Sequence, residues 1–395
     1  MLIVNLIIAF AFTICAFTVV YSFIYSVAGH FYKKKEFDNK DQYKKIAVFM
    51  PSFKEDEVIL QTAKQALFQN YPSHRYDVVV IADSLLPETI IELKNLPIKL
   101  VVVNFEKSTK SKSLNEAFSQ LKDNYDIAVI LDADNVMKHD FLDKINAAFV
   151  SGCYAIQGHR SAKNTNTSFA ILDAISEEVN NHIMRKGQVA IGFSSSVIGS
   201  GMAFSYLYLK QVMAEITAVG GFDKELELTL ISDNHKITYL EDAIVLDEKV
   251  QKSEVFAKQR TRWISAQIIY LRKYWLKAIY SFFCGKFDYA NKVTHYALVP
   301  KVLLIGFLFI MTIVSYFLPK DIIVGFNFWL TITLLYYLAF AMAIPKIFWN
   351  KNTSIALLSM PKTVLVMVLA MFNIKGANKS FIHTPHSAQF ENNNA

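Results

Sequence analysis

The feature that most constrains this chain is its first segment. Residues Leu2 to Ala28 form one apolar run without a charged side chain. A helix of about 20 apolar residues crosses the hydrocarbon core of a bilayer, so this run predicts a transmembrane anchor over residues 1–32. A cleaved signal peptide is the alternative. The run is too long for one and has no basic residues before it, so we expect an uncleaved anchor.

The composition agrees with a membrane protein. Of the 395 residues, 53% are hydrophobic and only 19% are charged, which is unusual for a soluble enzyme. The three cysteines, Cys15, Cys153 and Cys284, are widely separated, which excludes a disulfide scaffold and indicates a reducing compartment. The net charge of +7 fits cationic cytoplasmic loops better than a nucleic-acid partner.

Further membrane segments follow in the last third of the chain. Two apolar runs, Ala297 to Leu318 and Ile322 to Ile344, predict a transmembrane hairpin over residues 297–345. Pro361 and Lys362 interrupt the last apolar piece, so residues 354–373 are predicted to be an interfacial or re-entrant helix.

The segment before the hairpin mixes aromatic and basic residues. Such residues suit the lipid headgroup layer, so we predict interfacial amphipathic helices over residues 264–292. The alternative is a core helix of the soluble domain. Lys33, Lys34 and Lys35 follow the anchor and place the central domain in the cytoplasm. The chain is therefore expected to be a multi-pass protein of the inner (plasma) membrane, with a cytoplasmic tail over residues 374–395.

The insert between the anchor and the hairpin alternates strands with helices. The predicted strands are Ile46–Met50, Asp77–Ile81, Leu100–Val103 and Ile127–Leu131, and the predicted helices are Asp56–Asn70 and Lys112–Leu121. Continuous apolar strands separated by helices indicate an α/β domain with a mostly parallel sheet covered on both faces. Ligands bind such sheets at the carboxyl ends of the strands.

Acidic residues follow three of these strands. Glu55 comes after the first strand, Asp83 after the second, and Asp132 and Asp134 after the fourth. Residues two apart leave a strand on the same face. Two carboxylates there suit Mg²⁺ or Mn²⁺, with substrate phosphates completing the coordination shell. A lone Asp-x-Asp often only ends a strand, but the series of acids favours a site.

A basic loop, Lys107 to Ser113, precedes the second predicted helix. Alone it would be a solvated loop, whereas beside a metal and a diphosphate it becomes a candidate phosphate contact. The sequence has no Walker loop, no G-x-G-x-x-G and no G-x-S-x-G elbow. Nucleotide kinases, dinucleotide oxidoreductases and acyl-transfer hydrolases therefore find no support.

These motifs occur in an order that resembles membrane-integrated family-2 glycosyltransferases, such as the bacterial cellulose, hyaluronan and poly-N-acetylglucosamine synthases. The matching residues, over roughly residues 44 to 290, are Pro51…Glu55, Asp83, Lys110…Asn115, Asp132-Ala-Asp134 and the Q-x-x-R-W segment Gln259–Trp263. The resemblance implies a GT-A-type nucleotide-diphospho-sugar transferase domain with a mostly parallel sheet over residues 44–263, joined to α-helical transmembrane and interfacial segments.

The resemblance also implies roles on the donor side. Asp83 would accept a hydrogen bond from the uracil of a UDP-sugar, and Glu55 would lie in the same pocket. Lys110 occupies the position of the family's basic residue. Asp132 would contact the nucleotide, and Asp134 would bind Mg²⁺ or Mn²⁺ on the diphosphate.

On the acceptor side, Gln259, Arg262 and Trp263 would close the site. Trp263 would stack on a sugar ring and Arg262 would lie near the leaving phosphates, although Trp263 could instead serve as an interfacial anchor. Two more segments, one with Gln157 and one with Gly201, resemble the lining of the acceptor cavity. A third, with Phe381 and Thr384, resembles the gating loop of cellulose synthase.

The catalytic base departs from the family pattern. The family places an Asp of an acidic pair after a Gly-Gly-aromatic turn, where it takes the proton of the acceptor hydroxyl. Here Gly220–Asp223 is followed by Lys224-Glu225-Leu226-Glu227, and alignment on the leucines puts Glu225 at the base position. Asp223 and Asp233 stay as alternatives, whereas the pair Glu241-Asp242 is interpreted as structural.

The expected function is therefore inverting, metal-dependent transfer of a sugar from a UDP-sugar to a membrane-associated acceptor, either a growing polysaccharide or a lipid-linked glycan. Membrane lipids and export or assembly proteins are the expected partners. Two alternatives stay open: addition of a single sugar to a lipid carrier, and a catalytically silent subunit of a polysaccharide assembly complex.

Overall fold

The structure is a computed structural model that describes residues 1–38, 41–122, 124–251, 253–319 and 321–372. The predicted gating residues Phe381 and Thr384, and the predicted cytoplasmic tail 374–395, lie outside the described residues.

One eight-stranded sheet forms the central domain. Its strands are β1 Ile46–Phe53, β2 Tyr76–Asp83, β3 Lys99–Val103, β4 Ile127–Ile130, β5 Val136–Met137, β6 Ala155–Ala162, β7 Met202–Ser205 and β8 Ile237–Asp247. Their order across the sheet is β3-β2-β1-β4-β7-β6-β8-β5. The neighbours β3, β2, β1 and β4 pair in parallel, and so do β6 and β8. Strand β7 pairs antiparallel with both β4 and β6, and β5 pairs antiparallel with β8. The predicted mostly parallel α/β sheet is confirmed.

Fifteen α-helices are described. They are α1 Leu2–Gly29, α2 Asp56–Ala66, α3 Pro87–Lys94, α4 Lys110–Gln120, α5 Phe141–Val150, α6 Ser168–Asn180, α7 Gln188–Ala190, α8 Tyr206–Glu215, α9 Phe222–Ser232, α10 Ser253–Phe283, α11 Phe287–Ala297, α12 Lys301–Tyr316, α13 Phe326–Ala343, α14 Lys351–Leu357 and α15 Met360–Phe372. A π-helical segment, Asn181–Gly187, joins α6 to α7, and the short 3₁₀ turns are Ser73–Arg75 and Lys346–Phe348.

The register of the parallel strands positions the site. Phe53 at the end of β1 lies opposite Asp83 at the end of β2, and Phe49 lies opposite Ile130 at the end of β4. The three strands are nearly or fully buried, as expected for apolar strands covered by helices on both faces. Their carboxyl ends, with the acids that follow them, therefore meet at one edge of the sheet.

The chain divides into two compact units. The sheet unit contains Lys34–Thr165 and Ser194–Lys249, and the helical unit contains Met1–Lys33, Asn166–Phe193 and the described residues from Val250 onward. This division differs from the predicted transferase domain of residues 44–263. The predicted boundary after Trp263 falls inside α10, because one continuous helix carries both the Q-x-x-R-W segment and the aromatic and basic residues that follow it.

Two helices of the helical unit, α1 and α13, are long and apolar enough to cross a membrane, and the number rises to four if each of two bent helix pairs is one span. The predicted span Ala297–Leu318 differs from the structure. Its helix α12 begins only at Lys301 and meets α11 at a bend of 60°. Pro300 explains the break, because proline lacks an N–H and disfavours a helical conformation in the preceding residue.

The last apolar piece is also bent. The helices α14 and α15 meet at an angle of 44°, at a break that precedes Met360. Pro361 lies in the first turn of α15. Proline is tolerated there because the first N–H groups of a helix have no intrahelical partner.

Polar contacts fix α1 inside the helical unit. The Ser26 hydroxyl donates to the carbonyl of Ala339 in α13 at 2.6 Å, and the hydroxyl of Tyr25 donates to Asn291 Oδ1 of α11 at 2.5 Å. Gly187 allows a close approach, since a Cβ there would lie 2.1 Å from the carbonyl oxygen of Tyr25. The anchor therefore packs as an integral part of this unit.

Candidate functional site

Asp132, the first acid of the Asp-x-Asp turn, is paired with Lys110. Lys110 is the first residue of α4, which begins where the Thr109 hydroxyl accepts the N–H of Lys112. Its Nζ lies 2.5 Å from Asp132 Oδ1 and donates to the carbonyl of Gly199 at 2.6 Å. Of the three ammonium groups in the basic loop, the structure thus brings Lys110 to the acids, whereas Lys112 is exposed and donates to the carbonyl of Lys107.

Asp134, the second acid, faces a different set of groups. Its side chain is only 3% exposed, and its oxygens accept the backbone N–H of Glu248 at 3.2 Å and the amide of Asn135 at 3.2 Å. The two acids follow β4 in a turn in which the Asn135 N–H bonds to the carbonyl of Asp132.

Ser200 and Asn135 connect the two acids to the loop that precedes β7. The Ser200 hydroxyl accepts the backbone N–H of Asp132 at 2.9 Å and donates to Asn135 Oδ1 at 2.5 Å. Asn135 in turn donates to Asp247 at the end of β8 at 3.0 Å. Sequence reasoning missed Ser200, Asn135 and Asp247, because only the pairing of distant segments brings them together.

Cations surround the end of β8. Lys249 donates to Asp247 at 2.7 Å, and Arg160 at the end of β6 lies 3.8 Å from the same carboxylate. Burial lowers the pKa of Lys163 below its usual range, while Asp134, Glu248 and Asp247 oppose that shift. The Asp134 side of the site therefore carries positive charge close to its acids.

Asp83 is held by serine hydroxyls. It is 1% exposed, and its carboxylate accepts from Ser84 at 3.0 Å, from Ser108 at 3.1 Å and from Ser113 at a longer 3.5 Å. The backbone N–H of Lys54 donates to the Asp83 carbonyl at 3.1 Å, which fixes the start of α2 and its N-cap Glu55 at the same strand end.

Gln157 and Gly201 shape the loop that holds Ser200. Gln157 is fully buried in β6, and its amide donates to the carbonyls of Ser200 and Gly201 while its Oε1 accepts the N–H of Ile198. Gly201 has a φ of +62°, in the left-handed region where glycine is favoured. Both residues thus fix the loop backbone beside Asp132.

Acidic residues are spread around α9, which starts after Gly221. Glu225 is half-buried in the helix, and Glu227 is buried with its Oε1 accepting the N–H of Val197 at 3.1 Å. Asp233 caps the far end of the helix, is exposed and accepts the hydroxyl of Tyr208 at 2.7 Å.

The second acidic pair lies in the middle of β8. Asp242 forms an ion pair with Lys34 at 3.1 Å, and its carbonyl accepts the ammonium of Lys144 at 2.8 Å. These contacts support the structural interpretation of Glu241-Asp242.

The Q-x-x-R-W segment lies on α10 in the helical unit. Gln259, Arg262 and Trp263 are spaced i, i+3 and i+4, so they share one face of the helix. Trp263 is 37% exposed. Gln259 Oε1 is buried and has no hydrogen-bond partner among the described residues.

Arg260, inside the motif, was not singled out from the sequence. Its guanidinium lies 4.3 Å from the ring centroid of Trp263 and 4.7 Å from that of Phe256, and it forms an ion pair with Asp173 of α6. This stack fixes one side of the Trp263 ring.

The acids of the sheet unit fit a divalent metal bound with few protein ligands. Within the described ranges no group of three or more His, Cys, Asp or Glu side chains could hold a metal. Asp134 and Asp132 offer hard oxygen ligands, and Mg²⁺ characteristically binds through one or two carboxylates plus substrate phosphates.

Comparison with known proteins gives the class. The family model "Glycosyltransferase like family 2" matches residues 44–266, and the chain belongs to this family. A protein of Bacillus subtilis (strain 168), the probable glycosyltransferase YdaM, is 24% identical over 242 residues. That match covers 57% of this chain and 56% of the length of YdaM, so the chain spans little more than half of this relative.

Two solved structures match parts of the chain. The mannosyltransferase PcManGT from Pyrobaculum calidifontis, in complex with GDP-Man and Mn²⁺, matches 87% of this chain and 99% of its own with a TM-score of 0.53 at 17% identity. Glucosyl-3-phosphoglycerate synthase from Mycobacterium tuberculosis, in complex with Mn²⁺, UDP and phosphoglyceric acid, matches 59% of this chain and 82% of its own with a TM-score of 0.41 at 12% identity. The first likeness shows a GT-A-like fold.

Proposed function

We propose that the chain transfers a sugar from a nucleotide-diphosphate sugar, a UDP-sugar by the sequence resemblance, to an acceptor at the membrane, with inversion at the anomeric carbon. The observation that carries the proposal is the hydrogen-bonded set at the strand ends, Lys110–Asp132–Ser200–Asn135–Asp247, with Asp134 bound beside it. Such a set offers carboxylates to a metal and a cation to a diphosphate at the edge where parallel sheets bind ligands.

Different residues of the sheet unit would bind different parts of the donor. Asp134 and Asp132 would hold Mg²⁺ or Mn²⁺, which when bound stabilises the negative charge of the departing diphosphate. Lys110 is placed to contact the same diphosphate. Asp83 and Glu55, fixed together at the ends of β2 and β1, would bind the nucleobase. The GDP-Man and Mn²⁺ of PcManGT support a nucleotide-sugar donor, although its base is guanine.

The acceptor side belongs to the helical unit. The buried, unengaged Gln259 Oε1 can accept a hydroxyl hydrogen bond, and the exposed face of Trp263 can stack on a sugar ring. Arg262 shares this helix face and, by the sequence resemblance, would compensate the charge of the leaving phosphates. We propose Gln157 and Gly201 as residues that shape the acceptor cavity through the loop before β7.

The apolar helices support an acceptor at the membrane. The helices α1 and α13 can span a bilayer, and α10 and α11 expose Trp275, Tyr280, Phe283 and Phe287. Aromatic side chains of this kind favour the headgroup region. A lipid-linked glycan or a growing polysaccharide in the plasma membrane is therefore the proposed acceptor, with the transferase domain in the cytoplasm.

The test is nucleotide release by the purified full-length protein in lipid nanodiscs, with a panel of UDP- and GDP-sugars, Mn²⁺ and a membrane lipid extract as acceptor. We expect turnover with one donor, abolished by chelation, and reduced by at least about 100-fold in Asp134→Ala. Asp140→Asn changes a half-buried acid, the N-cap residue of α5 paired with Lys144, and serves as the matched control. Wild-type turnover equal to that of Asp134→Ala would contradict the proposal, as would release without any sugar-bearing product.

Product length separates the two modes of transfer. A ladder of products on a gel indicates polymer synthesis, and a single added sugar indicates transfer to a lipid carrier. Donor binding without turnover for every donor would indicate the silent subunit instead.

A further inference from the structure

The start of α9 reaches the donor-side residues. Gly221 precedes the helix with a φ of +73°, in the left-handed region, so the chain turns sharply before Phe222 and Asp223. A Cβ built on Gly199 would lie 3.9 Å from Asp223 Cγ and 3.9 Å from the Phe222 ring. Asp223 therefore lies against the backbone of Gly199.

Gly199 is also the residue whose carbonyl accepts Lys110. The Lys110 Nζ lies 2.6 Å from that carbonyl, 2.5 Å from Asp132 Oδ1 and 5.5 Å from the ring centroid of Phe222. The loop at Gly199 is thus in contact with Asp223 on one side and with the Lys110–Asp132 pair on the other. Among the described residues, no hydrogen bond or ion pair engages the Asp223 carboxylate.

The helix geometry separates Asp223 from Glu225. Residues four apart share a helix face, and Glu227, one turn after Asp223, binds the N–H of Val197 in the same loop. The face with Asp223 and Glu227 therefore packs on residues 197–201. Glu225 is two positions from Asp223, which is about 200° around the helix, so it projects from the other side of α9.

We infer that Asp223, and not Glu225, is the base of the transfer. The inference rests on the proposed function. As the acceptor oxygen forms its bond to the anomeric carbon, the acceptor O–H proton passes to an Asp223 carboxylate oxygen. The bond from the anomeric carbon to the diphosphate breaks, and the nucleoside diphosphate leaves with the bonding electron pair.

Asp223 also matches the family's base in residue type. Asp223 is the first acid after the Gly-Gly-aromatic turn, so no lysine replaces a carboxylate between that turn and the base.

The experiment compares Asp223→Asn with Glu225→Gln, and with Asp140→Asn, an acid paired with Lys144, as the matched control. Nucleotide release is measured with the active donor in nanodiscs, and binding of the nucleoside diphosphate with Mn²⁺ is measured by calorimetry. We expect Asp223→Asn to lose at least about 100-fold in kcat, since base catalysis contributes about 10²–10⁴-fold, with a donor Kd within about threefold of wild type. Glu225→Gln and Asp140→Asn should keep at least a tenth of the wild-type rate.

Any other outcome of the comparison between Asp223→Asn and Glu225→Gln overturns the inference. A wild-type rate in Asp223→Asn, or a loss of turnover confined to Glu225→Gln, contradicts the base assignment while the proposed function stands. If the wild-type protein releases nucleotide from none of the donors in the panel, the proposed function is contradicted, and the base assignment with it. Asp223→Glu keeps the carboxylate on a longer side chain, so partial turnover there supports the inference even if Asp223→Asn folds poorly, and turnover no higher than that of Asp223→Asn contradicts it.

Discussion

The two units of this chain present their candidate site residues in different ways. In the sheet unit, the side chains at the strand ends are already joined to one another, from Lys110 through Asp132 and Ser200 to Asn135. In the helical unit, α10 carries the Q-x-x-R-W residues on one face, and the buried Gln259 Oε1 has no partner among the described residues.

The difference indicates how each unit meets its ligand. A hydrogen-bonded set fixes the donor-side groups before a ligand arrives, which reduces the cost of ordering them on binding. A buried acceptor without a partner costs free energy until a ligand donor reaches it, so the helical unit should gain most from its ligand. Three substitutions test this contrast, from the largest expected effect to the smallest.

Lys110→Met should weaken binding of a nucleoside diphosphate with Mn²⁺ by about 10- to 100-fold. The change removes a charged contact worth about 1.5–3 kcal/mol and leaves Asp132 without its cation. Calorimetric titration measures the Kd. The matched control is Lys112→Met, two residues later in the first turn of α4, which removes an exposed ammonium bound to a carbonyl and should change the Kd by less than about threefold. Equal effects of the two variants would contradict a specific role for Lys110.

Ser200→Ala should destabilise the sheet unit by about 1–3 kcal/mol, because the N–H of Asp132 and Asn135 Oδ1 each lose a buried partner. Chemical denaturation of the detergent-solubilised protein, followed by fluorescence, measures the free energy of unfolding. Ser119→Ala on the exposed surface of α4 is the control and should change it by less than about 0.5 kcal/mol. An unchanged midpoint in Ser200→Ala would show that the donor-side groups are not held in advance.

Arg260→Lys should lower the rate of nucleotide release by about two- to fivefold. The charge is retained, but the planar stack on Trp263 and the guanidinium contact with Asp173 are lost, and a partly exposed cation–π contact is worth about 0.5–1 kcal/mol. Steady-state release with donor at saturation measures kcat. Lys258→Arg, exposed on the same helix, provides the control. A rate in Arg260→Lys that matches the control would indicate that Trp263 needs no support from Arg260.

Sequence patterns predicted much of this arrangement. The apolar run at Leu2 to Ala28 became α1, and the strands before Glu55, Asp83 and Asp132 became adjacent parallel strands that end at one edge. Both patterns were readable because a long apolar helix and a buried strand are specified by residues close together in the chain.

Other parts of the site depended on distant segments. Ser200 and Asp247 lie 65 and 112 residues from Asn135, and no local pattern marks them. The break at Pro300 shortened a predicted span, because hydropathy alone does not register a missing backbone N–H.

By itself, the sequence determined the anchor, the class of sheet and the acids at its edge, since each follows from periodicity or charge within a short window. Only the tertiary structure decided which groups meet. The antiparallel pairing of β4 with β7 brings the Gly199–Gly201 loop to Asp132, and the turn of α9 brings Asp223 to that loop. Such contacts depend on the register of strands far apart in the chain, and that register is set by the packing of the whole core.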